Sequence, residues 1–302
     1  MTDIIIIGGG TAGMSAAIYA LRAGKSVLIL EKEAFGGQII YSHRVENYPG
    51  ISRISGNDFA SALFDQATDL GAEVSLEKAE KIIDLGKTKK VITDDGEHEC
   101  KSVIIASGVK SRKLGAKGEE DLTGSGVSYC AVCDGAFYKD EDVAVIGGGN
   151  TALQDAVWLS GYCSKVYVIH RRDEFRGENS LVNALKAKDN VEFILSHVVE
   201  EIEGTDSVIG IKIKSTVTGE ISRLDVKGVF VAVGQVPDNR AFEDTAELDG
   251  QGFIASDESC MTKTAGVFTA GDCRTKKVRQ LTTAAADGAT AALAACDYID
   301  RL

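Results

Sequence analysis

Two cysteines three positions apart, in Cys130-Ala131-Val132-Cys133, are the residues of this 302-residue chain best placed to do chemistry. A C-x-x-C pair can close a small disulfide ring, and thiolates in such pairs often have a lowered pKa. That disulfide can accept two electrons and hand them on by thiol–disulfide exchange. Spacing alone leaves two other uses open. A structural zinc needs four ligands, and no second Cys or His pair is present, so no metal site is expected. The pair can also be plain packing residues. Asp134, next to Cys133, can relay a proton to a leaving thiolate or serve as a turn residue. Cys100, Cys163, Cys260, Cys273 and Cys296 are scattered singly and read as small buried hydrophobes.

Two glycine clusters carry the second kind of chemistry. Gly8, Gly10 and Gly13 stand at G-x-G-x-x-G spacing directly after the apolar run Ile4 to Ile7. Gly8 permits the tight turn, Gly10 lets a pyrophosphate approach the backbone, and Gly13 allows close helix packing. The helix N-terminus then offers free N–H groups to the phosphates. Glu31 follows 18 residues after Gly13, where a carboxylate can accept hydrogen bonds from a ribose. The bland alternative is a tight turn that binds no ligand.

The second cluster, Gly147, Gly149 and Ala152, is followed by a strand that ends without an acid. It ends instead at His170-Arg171-Arg172, with Arg176 beyond. A carboxylate there would repel a 2′-phosphate, whereas arginines bind one with charge-assisted hydrogen bonds. The site therefore favours NADPH over NADH. A solvated basic face is the alternative.

These groups must be positioned by strands and helices, and the chain repeats one plan twice. In the first copy the strand Ile4 to Ile7 leads to a helix carrying Met14, Ala17, Ile18 and Leu21, closed by Gly24. A strand from Val27 to Leu30 and a later one from Val103 follow. The second copy has a strand from Asp142 to Ile146, and a helix with Leu153, Ala156, Val157 and Leu159. Strands Val166 to Ile169 and Val229 to Val233 complete it. Short strand-like segments near 81–85 and 90–93, and again at 209–214 and 221–226, read as antiparallel meanders in the crossovers. Gly266 to Asp272 is one more strand and turn, and the alanine-rich stretch from Thr282 to Ile299 is a terminal helix. The fold class is therefore α/β, with two Rossmann-like dinucleotide-binding domains, the second inserted into the first. Residues 1–110 with 241–302 form the first and 111–240 the second. A two-stranded hinge is expected near Lys110 to Leu114 and Pro237 to Ala241.

Net charge is −12 with a pI near 4.9, which argues against nucleic acid and anionic membranes as partners. No apolar run approaches the roughly 18 residues of a membrane span. The first strand begins at the N-terminus with no signal-peptide pattern, so a cytoplasmic location is expected. Trp158, His43, His98 and His197 have no spacing that implies metal or catalysis.

The motifs occur in a recognisable order. Gly8-x-Gly10-x-x-Gly13, Cys130-Ala-Val-Cys133-Asp134-Gly135, Gly147-Gly148-Gly149-Asn150-Thr151-Ala152, His170-Arg171-Arg172-x-x-x-Arg176, Gly271-Asp272 and Arg279-Gln280 all follow it. Over essentially its whole length the chain resembles the low-molecular-weight thioredoxin reductases. The resemblance implies FAD in the first domain, held by Gly8, Gly10, Thr11, Ala12, Gly13 and Glu31. Gly36, Gly37, Gln38, Asn47, Gly271, Asp272, Arg279, Gln280 and Leu281 are its further contacts. It implies NADPH on Gly147, Gly149, Asn150, Thr151, Ala152, His170, Arg171, Arg172 and Arg176. Cys133 looks like the cysteine facing the flavin, able to form a charge-transfer pair with it. Cys130 looks like the interchange thiol that attacks thioredoxin, and Asp134 like the acid–base group. The family is homodimeric.

NADPH and the disulfide would be carried by one domain and must each reach the flavin of the other, so rotation about the hinge is implied. Two departures matter. Val132 stands where the family often has Thr, and Ala136 stands where it often has the first of two docking aromatics, leaving Phe137. Docking area is lost there, and a compensating contact elsewhere is the alternative. A related flavin-dependent disulfide reductase or dithiol oxidase with another electron donor or acceptor would share the fold. The arginines argue against it. A nucleotide-binding redox sensor that signals rather than turns over is the reading from a different class.

Overall fold

The computed structural model describes residues 1–42 and 44–302; His43 lies outside the described residues. The chain divides into two compact units, Met1–Lys110 with Val236–Leu302, and Ser111–Gln235.

In the first unit the strand Thr2–Ile7 lies between Val27–Leu30 and Glu97–Ile105, parallel to both, with Ile4 opposite Val27 and Ile7 opposite Ile105. Glu73–Ser75 extends the sheet on one side, and Val267–Thr269 pairs with Glu97–Ile105 on the other. An all-isoleucine run suits this place because successive side chains enter opposite layers. Ile4 and Ile6 pack in one buried cluster, Ile5 and Ile7 in another. Each fully buried isoleucine contributes roughly 1.5–3 kcal/mol.

The helices Thr11–Arg22 and Leu281–Asp300 cover the Ile4 side. Their contact is close because it is made by alanines and Gly288, where a Cβ would sit 2.2 Å from the Ala12 carbonyl oxygen. That contact sets the head of the C-terminal helix beside the head of the N-terminal one. The segments Ala79–Asp84 and Lys89–Thr93 form the meander, antiparallel and continuous with the long strand Glu97–Ile105.

The second unit has a parallel sheet in the order Val191–Leu195, Lys165–His170, Asp142–Ile146, Gly228–Val231, Val127–Ser128. The helix Asn150–Leu159 covers one face. Its meander is a separate antiparallel sheet of His197–Gly204, Val208–Ser215 and Ile221–Leu224. The repeated plan of the sequence is therefore present, with the second Rossmann-like unit inserted into the first. Residues Lys110–Ser111 and Gln235–Val236 pair as a two-stranded ribbon where the chain passes between units. The return strand stops at Pro237, short of the expected Pro237 to Ala241, because proline has no N–H to donate to a ladder.

Among the described residues, no helix is long and apolar enough to cross a membrane.

Candidate active site

The Cys130–Cys133 pair is a closed disulfide, with an Sγ–Sγ distance of 2.07 Å and the Cα atoms 5.3 Å apart. Both cysteines are half-buried. Cys130 caps the one-turn helix Ala131–Asp134, and its Sγ accepts a hydrogen bond from the Cys133 N–H at 3.2 Å. The turn packs against the helix Asn150–Leu159 through Gly135, where a Cβ would meet the Tyr162 hydroxyl at 2.2 Å and Leu159 at 2.8 Å. Asp134 ends the turn, and its Oδ2 accepts a 2.6 Å hydrogen bond from Ser128 Oγ. The other five cysteines are buried and unbridged, and burial pushes the Cys100 thiol up to about 12. Such thiols are inert to exchange at neutral pH.

The first glycine turn separates local from external demands on its residues. Gly8 has φ +112°, and a Cβ there would lie 2.3 Å from the Ala106 carbonyl oxygen. At Gly13 it would lie 1.9 Å from the Gly8 carbonyl oxygen. Both are required by the fold. Gly10 is different: its φ of −85° suits any residue, and the nearest atom to a Cβ is 3.8 Å away. Neither packing nor backbone asks for glycine there, so a close-lying ligand is the remaining reason.

A cavity of about 190 Å³ opens over this turn. It is lined by Gly8, Gly10, Thr11, Ala12, Glu31, Gly36, Gly37, Gln38, Asp272, Gln280 and Leu281, among others. Glu31 is held by backbone donors, accepting from Gly9 N–H at 2.8 Å and Glu33 N–H at 2.9 Å. Asp272 has a buried Oδ1 that lacks a hydrogen-bond partner among the described residues. Burial raises this carboxyl above its ordinary value against the pull of Lys276 and Arg279. A buried acceptor without a donor is costly. A hydroxyl-bearing ligand would supply the donor. Four of the expected residues, Gly13, Asn47, Gly271 and Arg279, are not part of this lining. Asn47 Nδ2 donates to Gln280 Oε1 at 3.2 Å. Arg279 donates to the Asp272 and Arg274 carbonyls and lies over the Phe253 ring.

The second turn repeats the pattern. Gly147 has φ +155°, and its Cβ would sit 2.4 Å from the Ala232 carbonyl oxygen and 2.7 Å from Ala152 Cβ. Gly149 has ordinary φ of −98°, with no atom within 4 Å of a Cβ among the described residues. Asn150 and Thr151 open the following helix. Arg171, Arg172 and Arg176 are exposed after the strand Lys165–His170. The fold ties them to the turn, since the Arg176 and Gly177 N–H groups both donate to the Gly148 carbonyl, at 2.7 and 3.1 Å. His170 lies beneath Gly148, its ring 2.4 Å from where a Cβ would be, and its buried Nε2 is without a partner among the described residues. Burial, then the three arginines, lower its pKa. It packs as a neutral ring facing Phe175.

Four residues important to these sites are absent from the sequence reading. Ser128 holds Asp134. Glu178 exchanges hydrogen bonds with Asn150, at 2.7 and 3.1 Å. Asp287 and Arg274 brace the Asp272 turn. Asp287 had a readable signal, an acid in the stripe Ala284, Asp287, Gly288, Ala291, Ala292, Ala295 that faces the core. Among the described residues no group of His, Cys, Asp and Glu is arranged to hold a metal ion. His98 instead faces Glu77 at 2.8 Å, and the His197 Nδ1 lies 2.6 Å from the Leu195 carbonyl oxygen. Trp158 is exposed.

Comparison with known proteins agrees with this architecture. The family model described as pyridine nucleotide-disulphide oxidoreductase matches residues 2–288. A thioredoxin reductase of Listeria monocytogenes is 42% identical over 301 residues, 99% of this chain and 94% of that protein. One from Bacillus subtilis is 39% identical, again over 99% of this chain and 95% of its own length. The crystal structure of a thioredoxin reductase from Streptococcus pyogenes superposes with a TM-score of 0.96 at 42% identity, covering 100% of this chain and 99% of that one. With a closed C-x-x-C disulfide and two dinucleotide turns already in place, these matches make the chain a member of the pyridine nucleotide-disulphide oxidoreductase family, in its thioredoxin reductase branch.

Proposed function

We propose that this chain passes electrons from NADPH, through FAD and the Cys130–Cys133 disulfide, to thioredoxin. One observation carries the reading. A half-buried disulfide stands at the head of a short turn beside a held carboxylate, in the same unit as a nucleotide turn rimmed by arginines.

The first unit is the FAD-binding domain and the second the NADPH-binding domain. Backbone N–H groups at Thr11 and Ala12 would hold the pyrophosphate, Glu31 would take a ribose hydroxyl, and Asp272 would accept from a second hydroxyl. FAD, once bound, supplies the two-electron relay between the hydride donor and the disulfide. Gly149, Asn150 and Thr151 hold the NADPH pyrophosphate, and Arg171, Arg172 and Arg176 hold its 2′-phosphate.

The exchange half follows from the turn. Two electrons delivered at Cys133, with two protons, break the Sγ–Sγ bond and leave both cysteines as thiols. Asp134 takes the Cys130 proton as Cys130 attacks one sulfur of the thioredoxin disulfide to form a mixed disulfide, and returns it to the sulfur expelled. Cys133 attacks Cys130 Sγ, its own proton goes to the second thioredoxin sulfur as that sulfur leaves, and the ring is restored. Thioredoxin gains two electrons and two protons, and the chain returns to its starting state. The ribbon of Lys110–Ser111 with Gln235–Val236 is the hinge about which the units turn between the two half-reactions. The homodimer is carried over from the resemblance.

Anaerobic titration of the purified protein with NADPH, then oxidised thioredoxin, tests the reading. The yellow flavin should bleach and recolour repeatedly. A colourless protein, or a flavin that NADPH leaves oxidised, would overturn it.

A further inference from the structure

Ser128 has no part in the reaction as described above, yet its hydroxyl donates to the acid–base carboxylate. It ends the two-residue strand Val127–Ser128, paired in parallel with Gly228–Val231 so that Ser128 lies opposite Phe230. It is 5% exposed. The sheet therefore holds its Cα in place, independently of the cysteine turn.

Its hydroxyl is also oriented. The Cys130 N–H donates to Ser128 Oγ at 3.1 Å, so the oxygen is an acceptor on that side. The one hydroxyl proton has two candidate acceptors, Asp134 Oδ2 at 2.6 Å and the Cys130 carbonyl oxygen at 3.4 Å. The shorter contact to a carboxylate is the stronger bond. A single oxygen thus links the backbone of the interchange cysteine to the carboxylate six residues on.

We propose that Ser128 is a positioning residue for Asp134, aiming its carboxylate at the exchanging sulfurs and favouring its charged form. This rests on the acid–base reading of Asp134. A donor to a carboxylate stabilises the ionised state, so its removal raises the pH at which Asp134 takes a proton.

Other ionisable groups on the packed elements need separating from this one. Burial, followed by the Asp134 charge, carries the Tyr138 phenol up to about 12, and burial carries Tyr162 as high. Both lie outside the working range. Asp155, on the helix Asn150–Leu159, is carried by burial to about 7 and lies inside it. The strand Gly228–Val231 presents glycine, valines and Phe230, none of them ionisable.

The test uses the FAD-loaded full chain with oxidised thioredoxin. The kcat/KM for thioredoxin is followed across pH in Ser128→Ala, Ser128→Thr, Asp134→Asn and, as a control, Asp155→Asn. Stopped-flow reduction of the flavin by NADPH is followed in each. Ser128→Ala should move the acid limb up by about one pH unit, equivalent to about tenfold in proton affinity. Flavin reduction by NADPH should stay within about twofold, and Ser128→Thr should restore the limb. A Ser128→Ala limb that stays in place while Asp134→Asn abolishes it overturns the Ser128 role and leaves the acid–base reading standing. A limb that survives Asp134→Asn overturns both. A limb that disappears in Asp155→Asn belongs to Asp155 and equally overturns the proposal. Equal losses in both half-reactions with no movement of the limb mean a structural role only. Should Ser128→Ala lose its flavin, Ser128→Cys, of similar volume and a weaker donor, takes its place with the same outcomes.

Discussion

Asp287 Oδ2 accepts a hydrogen bond from the Gly271 N–H at 2.9 Å, so the terminal helix anchors the turn that carries Asp272. The same carboxylate takes both ends of a fork from Arg274, each at 2.8 Å, and a bond from a second cation, Lys276, at 2.8 Å. Arg274 and Asp287 are 2% and 7% exposed. Removing one member of such a buried pair leaves the others uncompensated, which typically costs about 3–5 kcal/mol.

Asp287→Asn should therefore lower the thermal midpoint and the flavin content together. The effect has a pH signature. Burial pushes the Asp287 carboxyl up, and the hydrogen bonds from Arg274 and Lys276 overcome this and hold it below the ordinary carboxylate value. Stability from this group is complete above the unfolded value of 3.8 and is lost as pH falls through the depressed folded value. Wild type and variant should differ most at neutral pH and converge in acid. A constant gap in urea midpoints from pH 7 down to the acid transition would refute the assignment.

Asp272 should behave in the opposite way. Its unpartnered, buried Oδ1 is a liability to the fold until a ligand supplies a donor. Asp272→Ala should leave the apoprotein about as stable as the parent and weaken FAD binding by about 1.5–3 kcal/mol, the range for a hydrogen bond to a charged group. That is roughly 10- to 150-fold in Kd. Flavin-to-protein absorbance ratios after dialysis against chaotropic salt measure it. Unchanged retention would remove Asp272 from the cofactor site.

The contrast between Asp272 and Asp287 also shows what a sequence can carry. Gly8, Gly10 and Gly13 are legible because the turn, the preceding strand and the following helix lie within about two dozen residues, and their spacing is their geometry. Cys130 and Cys133 are legible for the same reason. Asp287 touches Gly271 and Arg274 across a reversal of the chain, and only an acid interrupting a stripe of alanines hints at it. Ser128 lies near its partner in sequence, but serine before a cysteine turn has many ordinary uses. The strands Val127–Ser128 and Glu73–Ser75 escape reading because two or three residues carry no periodicity. Arg279 is named by the resemblance as a cofactor contact, and its Nε and one Nη also donate to the Asp272 and Arg274 carbonyls, bonds that spacing does not announce.

Arginine substitutions should separate the two nicotinamide donors. Arg171 and Arg172 are exposed and directly follow the strand Lys165–His170, which ends without an acid. Arg171→Ala and Arg172→Ala should each raise KM for NADPH about tenfold or more and leave KM for NADH nearly unchanged, since only the former carries the 2′-phosphate. The NADPH effect should shrink with added salt. Parallel losses for both donors would point to a collapsed loop rather than a lost phosphate contact.

Adjacent glycines give the sharpest separation of fold from function. At Gly148 a Cβ would sit 2.4 Å from the buried His170 ring, which also packs against Phe175 and has little room to yield. Gly148→Ala should therefore destabilise the second unit by about 1–3 kcal/mol, as overpacking does, and lower its thermal midpoint. Gly149 is one residue away, with φ of −98° and no atom within 4 Å of a Cβ among the described residues. Gly149→Ala should leave the midpoint alone, because the backbone is already acceptable to alanine. If the turn carries a nucleotide pyrophosphate, the added methyl occupies the ligand's space, and KM for NADPH rises while flavin content is unaffected. The two variants should thus exchange phenotypes, one unstable and the other stable but poor at binding NADPH. A Gly149→Ala protein with unaltered NADPH kinetics would mean that the turn binds no pyrophosphate there.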